Sequence, residues 1–153
     1  MIARGDGKAK RGLRMRWPAL VALLAVLPAG GCSTDVGPSP AELEAQWNAQ
    51  NVAPQNYKQD LLAFLRTYLN DPSHVRGGEV SQPMLKKVGP GQRYVACVRY
   101  NAREAHGKYA GVKTGAAVYV SGKLDNFLDG KQAQPYCTDA AYAPFPELAH
   151  LTR

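Results

Sequence analysis

Hydrophobic and polar positions divide the chain into regions of different period. Residues 17–28 (WPALVALLAVLP) are almost wholly apolar, and residues 33–40 (STDVGPSP) are small, polar and broken by Gly and Pro, which suits a tether. Ser39-Pro40-Ala41-Glu42 follows, with a capping Ser, a Pro suited to the first turn and a Glu that completes a capping box. This predicts a short helix to about Gln50. Pro54 then opens a second helix. Tyr57, Leu61, Leu62, Phe64, Leu65, Tyr68 and Leu69 recur at helical spacing, with Lys58, Asp60, Arg66 and Asn70 elsewhere, and Asn70-Asp71-Pro72 ends it.

Beyond that helix the pattern is strand-like. Residues 75–87 predict one or two strands broken by Gly77-Gly78 and by Pro83, which marks an edge or a bulge. Residues 88–91 form a turn, and residues 93–102 are the strongest strand, with Tyr94, Ala96, Val98 and Tyr100 on one face. Residues 103–113 form a polar loop. Residues 115–120 and 123–128 flank Ser121-Gly122, a two-residue hairpin turn. Residues 129–135 are expected to be a loop, and residues 143–148 an extended Pro-rich segment that places Phe145 and Leu148 on the core. The expected fold is a two-layer α+β domain, in which one or two N-terminal helices pack on a small antiparallel sheet of three to five strands. The expected organisation is a leader (1–31), a tether with a short helix (32–53) and one small domain (54–153).

The leader carries the clearest signal. Its apolar run is too short to cross a bilayer, which takes about 20 residues, and fits the apolar core of a secretory signal. Arg4, Lys8, Lys10, Arg11, Arg14 and Arg16 precede it, Met15 offers a second candidate start, and Ala29-Gly30-Gly31-Cys32 follow. This arrangement resembles the lipobox of bacterial lipoprotein precursors, with Ala29 where that family favours Leu. The resemblance implies cleavage between Gly31 and Cys32 and a lipid on Cys32 that binds the protein to a membrane. Ser33, rather than Asp, follows the cysteine, which implies in Gram-negative members an outer-membrane protein facing the periplasm.

Charge is consistent with this division. The net charge of +7 comes mostly from the leader; residues 32–153 keep 13 basic and 11 acidic residues, a net of +2. They are scattered singly, which argues against a nucleic-acid partner, whose recognition needs clustered Lys and Arg on the folded domain. With Cys32 assigned to lipid, Cys97 and Cys137 form an even pair in an exported domain and predict a disulfide. A bridge closing about 40 residues contributes on the order of 3–4 kcal/mol in the chain-entropy model.

No catalytic constellation is visible. His74, His106 and His150 lie far apart without ligand-spaced partners, so no metal or cofactor is expected. A Cys–His nucleophile pair between His106 and Cys97 or Cys137 would sacrifice the disulfide. Arg103, His106, Lys108 and Tyr109, in the long loop beside the strongest strand, are the candidate recognition residues. The expected function is a non-enzymatic envelope lipoprotein that contacts another envelope protein through a sheet edge or this loop. The alternative is a module binding a small molecule or cell-wall fragment in a pocket between the tyrosine-rich helix and the sheet.

Overall fold

A computed structural model describes residues 37–152, so the leader, the cleavage site and Cys32 lie outside the described residues. The described residues form one compact unit. Its elements run α1 (Pro40–Asn48), α2 (Tyr57–Tyr68), β1 (Asp71–Ser81), β2 (Met84–Val88), β3 (Gly91–Arg103), β4 (Lys113–Val120), β5 (Lys123–Asp129), α3 (Gly130–Cys137), β6 (Tyr142–Pro144) and a closing 3-10 turn (Pro146–His150). No helix among the described residues is long and apolar enough to cross a membrane.

The fold is α+β, with six antiparallel strands in place of the expected three to five. The strand order is β5-β4-β3-β1-β6, and β2 also pairs with β3. The alternation along β3 explains the layering. Ala96, Val98, Tyr100 and Ala102 join Leu61, Leu65 and Leu69 of α2 in one core. Val95 and Cys97, of opposite parity, join Ala116, Val118, Ala133 and Cys137 in a second core. Helices therefore cover both faces of the sheet, giving three layers rather than two. Each fully buried leucine of α2 contributes roughly 1.5–3 kcal/mol relative to exposure.

The second core depends on α3, which corrects the loop expected at residues 129–135. Pro135 removes a backbone donor within this short helix. Ala133 and Cys137, one turn apart, are buried against the sheet, and a disulfide fixes the last turn to β3. Packing thus overrides local propensity. Helices are accordingly not confined to the N-terminal side. The closing segment is also corrected. Only Tyr142–Pro144 is extended, and the Pro146–His150 turn follows, although Phe145 and Leu148 are fully buried as expected.

Other local signals hold. The Ser39 capping box is formed, with both hydrogen bonds to Glu42 in place. Ser121 and Gly122 both have positive φ, as a two-residue hairpin turn requires. β1 runs through Gly77-Gly78 with register shifts instead of breaking there, and the break falls at Gln82-Pro83.

Sequence grouped the short helix with the tether; in the fold α1 docks on β3. The buried Arg93 guanidinium lies 4.0 Å from the Trp47 ring centre. It donates to the Trp47 carbonyl at the end of α1 and, at 3.1 Å, to Gln50 Oε1. The Asn48 side chain accepts from the Gln92 amide at 2.9 Å. Gly91 makes room for this, since a Cβ there would stand 2.6 Å from Asn48 Oδ1 and 2.8 Å from Trp47.

Candidate functional site

The second core ends where the β3 pattern turns polar. Val95 and Cys97 face α3, and the next residues of that parity are Arg99, Asn101 and Arg103. Across the register, Cys97 pairs with Ala116 and Arg99 with Thr114, so β4 makes the same change at the same level. A cleft of about 650 Å³ opens at this boundary. Arg99, Lys113 and Thr114 line it from the sheet, Gln134 and Cys137 from α3, Thr138 from just past its end, Tyr142 from β6, and Asp129 and Gly130 from the start of α3, with Val112 at the rim. Its volume is in the range of small-ligand sites.

Two tyrosines organise the walls. The Arg99 guanidinium stacks 3.8 Å from the Tyr142 ring centre, which fixes the plane of its donor fork. Glu79 approaches Arg99 at 3.8 Å, a loose, half-exposed pair that contributes little. The Tyr142 hydroxyl oxygen is buried, with the Arg99 guanidinium as its polar neighbour. Burial raises its pKa, and the Arg99 cation opposes that rise. On the other side, Asp129 accepts a hydrogen bond from the Tyr68 hydroxyl, and this bond, with burial adding to it, pushes the phenol up to about 12. Asp129 sits at the N-cap of α3 but makes no capping bond to it. Lys113 pairs with Glu104 at 3.4 Å. The cleft thus offers a guanidinium, an ammonium, hydroxyls and an amide, with one carboxylate.

A smaller cleft of about 250 Å³ lies where a pocket was expected, between α2 and the sheet, lined by Tyr68, Leu69, Tyr100, Ala102, Arg103 and Glu104. Lys113 and Asp129 line both clefts. Burial holds the Tyr100 hydroxyl protonated far above its ordinary range.

The predicted recognition loop divides into two parts. Tyr109 bridges to Arg103, donates to the His74 carbonyl at 2.9 Å and lies under both Arg76 (4.0 Å) and Arg103 (5.4 Å). Arg103 also reaches Asp71 at 3.9 Å. These two residues therefore brace the loop. Glu104 and Lys108 close a tight turn between them, leaving His106 and Lys108 exposed near its tip. Cys97 and Cys137 are joined in a buried disulfide with Cα atoms 5.7 Å apart, which removes both thiols from any Cys–His pair. Among the described residues, no three His, Cys, Asp or Glu side chains group as a metal site.

Sequence reasoning missed Arg99, Thr114, Gln134, Thr138 and Tyr142. Four of these depend on an α3 that sequence placed in a loop, or on strand pairings with distant partners. The signal for Arg99 was present as the first charge to interrupt an apolar β3 face. Compared with family models, with curated proteins and with solved structures, the chain matches none.

Proposed function

We propose that the chain is an envelope lipoprotein precursor, cleaved after Gly31 and lipidated on Cys32, whose disulfide-closed domain is a non-enzymatic interaction module. One observation carries this reading. The chain has three cysteines, and the internal pair Cys97–Cys137 accounts for two, leaving Cys32, the cysteine of the lipobox-like sequence, for the lipid. A buried structural disulfide also suits an oxidising compartment. With Ser33 after the cysteine, the expected address is the outer membrane facing the periplasm, with an envelope protein as partner. A small-molecule or cell-wall-fragment binding module is the second reading, and the cleft over Arg99 favours it.

The test is intact mass of the membrane-fraction protein, with and without reduction and thiol alkylation, beside Cys32→Ala. The expected result is an N-terminus at Cys32 with acyl mass, and two alkylated thiols only after reduction. Retention of residues 1–31 in the wild type, or loss of the acyl mass with no dependence on Cys32, overturns the lipoprotein reading.

A further inference from the structure

We propose that the cleft between α3, β4 and β6 binds a carboxylate on a short peptide-like ligand, with Arg99 as its recognition residue. This deepens the second reading of the domain as a binding module. It stands independently of whether Cys32 carries lipid.

Three features of the cleft specify the chemistry. Arg99 has its guanidinium plane held by the Tyr142 ring at 3.8 Å, and its one ion pair, to Glu79, is loose at 3.8 Å. A planar fork fixed in orientation matches the two oxygens of a carboxylate better than it matches a spherical anion. The Tyr142 hydroxyl oxygen is buried in the same wall, where the Arg99 guanidinium is its polar neighbour, so a carboxylate on Arg99 would lie beside a phenol proton able to reach it.

The remaining lining favours a singly charged anion over a multiply charged one. Asp129 lies across the cleft, and Lys113 is shared with Glu104 at 3.4 Å. A phosphate monoester, carrying close to two charges, would meet that carboxylate with little cation to spare. A single carboxylate would not. Thr114 and Gln134 supply a hydroxyl and an amide that can both donate and accept, and the Thr138 hydroxyl, which donates to the Gln134 carbonyl at 2.9 Å, can still accept, which suits the backbone amides of a peptide. The volume of about 650 Å³ holds more than a bare anion. Free carboxylates of this kind come from peptide C-termini or from small N-acylated amino acids, and both satisfy the same chemistry.

The experiment is titration of the purified full chain, disulfide intact, followed by amide NMR shifts at Gly130, Thr138 and Tyr142. The probes are N-acetyl-trialanine with a free carboxyl, the same peptide as its C-terminal amide, N-acetylalanine, and sodium phosphate. The expected result is saturable shifts at these residues with the free acid and at least tenfold weaker binding of the amide. Arg99→Gln and Tyr142→Phe each weaken the acid severalfold or more, and Lys131→Gln does not. Equal affinity of the tripeptide acid and N-acetylalanine assigns the site to small acids, and a preference for the tripeptide assigns it to peptide ends; both support the proposal. No saturable shift at millimolar acid, equal binding of acid and amide, or tighter binding of phosphate overturns it. Because Arg99 is exposed, its variant is expected to fold, and an unchanged melting temperature checks this. The mass measurement on Cys32 is unaffected by any of these outcomes, so failure of the ligand proposal and failure of the lipoprotein reading are separately visible.

Discussion

Replacing both Cys97 and Cys137 with Ala removes the bond between the middle of β3 and the end of α3. The two residues are 40 apart in sequence. In the chain-entropy model, closing a loop of that length restricts the unfolded chain by about 13 cal/mol/K, or about 4 kcal/mol at 25 °C. Domains of this size are typically stable by only about 5–15 kcal/mol, so the loss is a large fraction of the whole. For a compact unit of about 118 residues, an unfolding entropy near 0.25 kcal/mol/K converts it to a fall in melting temperature of about 16 °C. Urea denaturation of the oxidised wild type and the double variant, followed by far-UV circular dichroism, measures the difference directly. Amide exchange should also show α3 losing protection first, since its other buried residue is the small Ala133. A loss under about 1 kcal/mol would refute the reasoning, because it would mean that packing alone holds α3 on the sheet. A loss confined to the native state, with the reduced wild type as stable as the oxidised form, would refute the unfolded-chain account.

Three further outcomes are expected. Gly115→Ala should destabilise the domain by roughly 1–3 kcal/mol in urea melts, because the new Cβ would stand 2.1 Å from the Phe127 ring, itself packed on Phe64 at 4.8 Å; Phe127→Leu in the same chain should recover part of the loss, and additive effects would contradict this. Arg93→Met should leave the Trp47 carbonyl without its charged donor and speed amide exchange in α1 by tenfold or more, with α2 unchanged; an unaltered exchange pattern would show that α1 holds without the guanidinium. Tyr68 should titrate near 12, and Asp129→Asn should return it toward the ordinary range of about 10, as read by 13C NMR of labelled tyrosine. Because the folded pKa is raised, the unfolded phenol ionises first. The contribution of this hydrogen bond is therefore complete below pH 10 and lost as pH rises toward 12; a Tyr68 titration unmoved by Asp129→Asn would contradict the assignment.

How much of this was legible in the sequence depended on whether the signal was local. The Ser39–Glu42 capping box, the helical stripe ending in Leu61, Leu65 and Leu69, and the Ser121-Gly122 turn are set by neighbours within a few residues, and the fold has all three. The parity of β3 was also readable, but only one face of it was counted as core. The odd positions Val95 and Cys97 are equally buried, which is the mark of a strand covered on both sides. What covers them, α3, contains Pro135 and polar residues, and it is helical through burial of Ala133 and Cys137 against partners far away in sequence. The cleft inherits that difficulty. Arg99 and Tyr142 meet only because β6 pairs with β1, and β1 with β3. Arg103 and Tyr109 were singled out as residues of a polar loop, yet Arg103 ends β3 and each is held by contacts with β1 that no spacing announces.

The clamp of Arg93 on Trp47 also determines how tension entering from the N-terminal side is borne. A pull on Pro40 reaches Gln92 and Arg93 through Trp47 and Asn48, and reaches Ser121 through its 2.9 Å bond to the Gln50 carbonyl, so the load enters at the start of β3 and at the β4–β5 turn. The covalent path through α2 stays slack until those side-chain contacts give way. When they do, residues 40–56 can pay out as extended chain, about 55 Å at the usual rise per residue, before the first buried leucine of the core feels any force. The clamp is thus the first set of contacts through which such a load enters the domain.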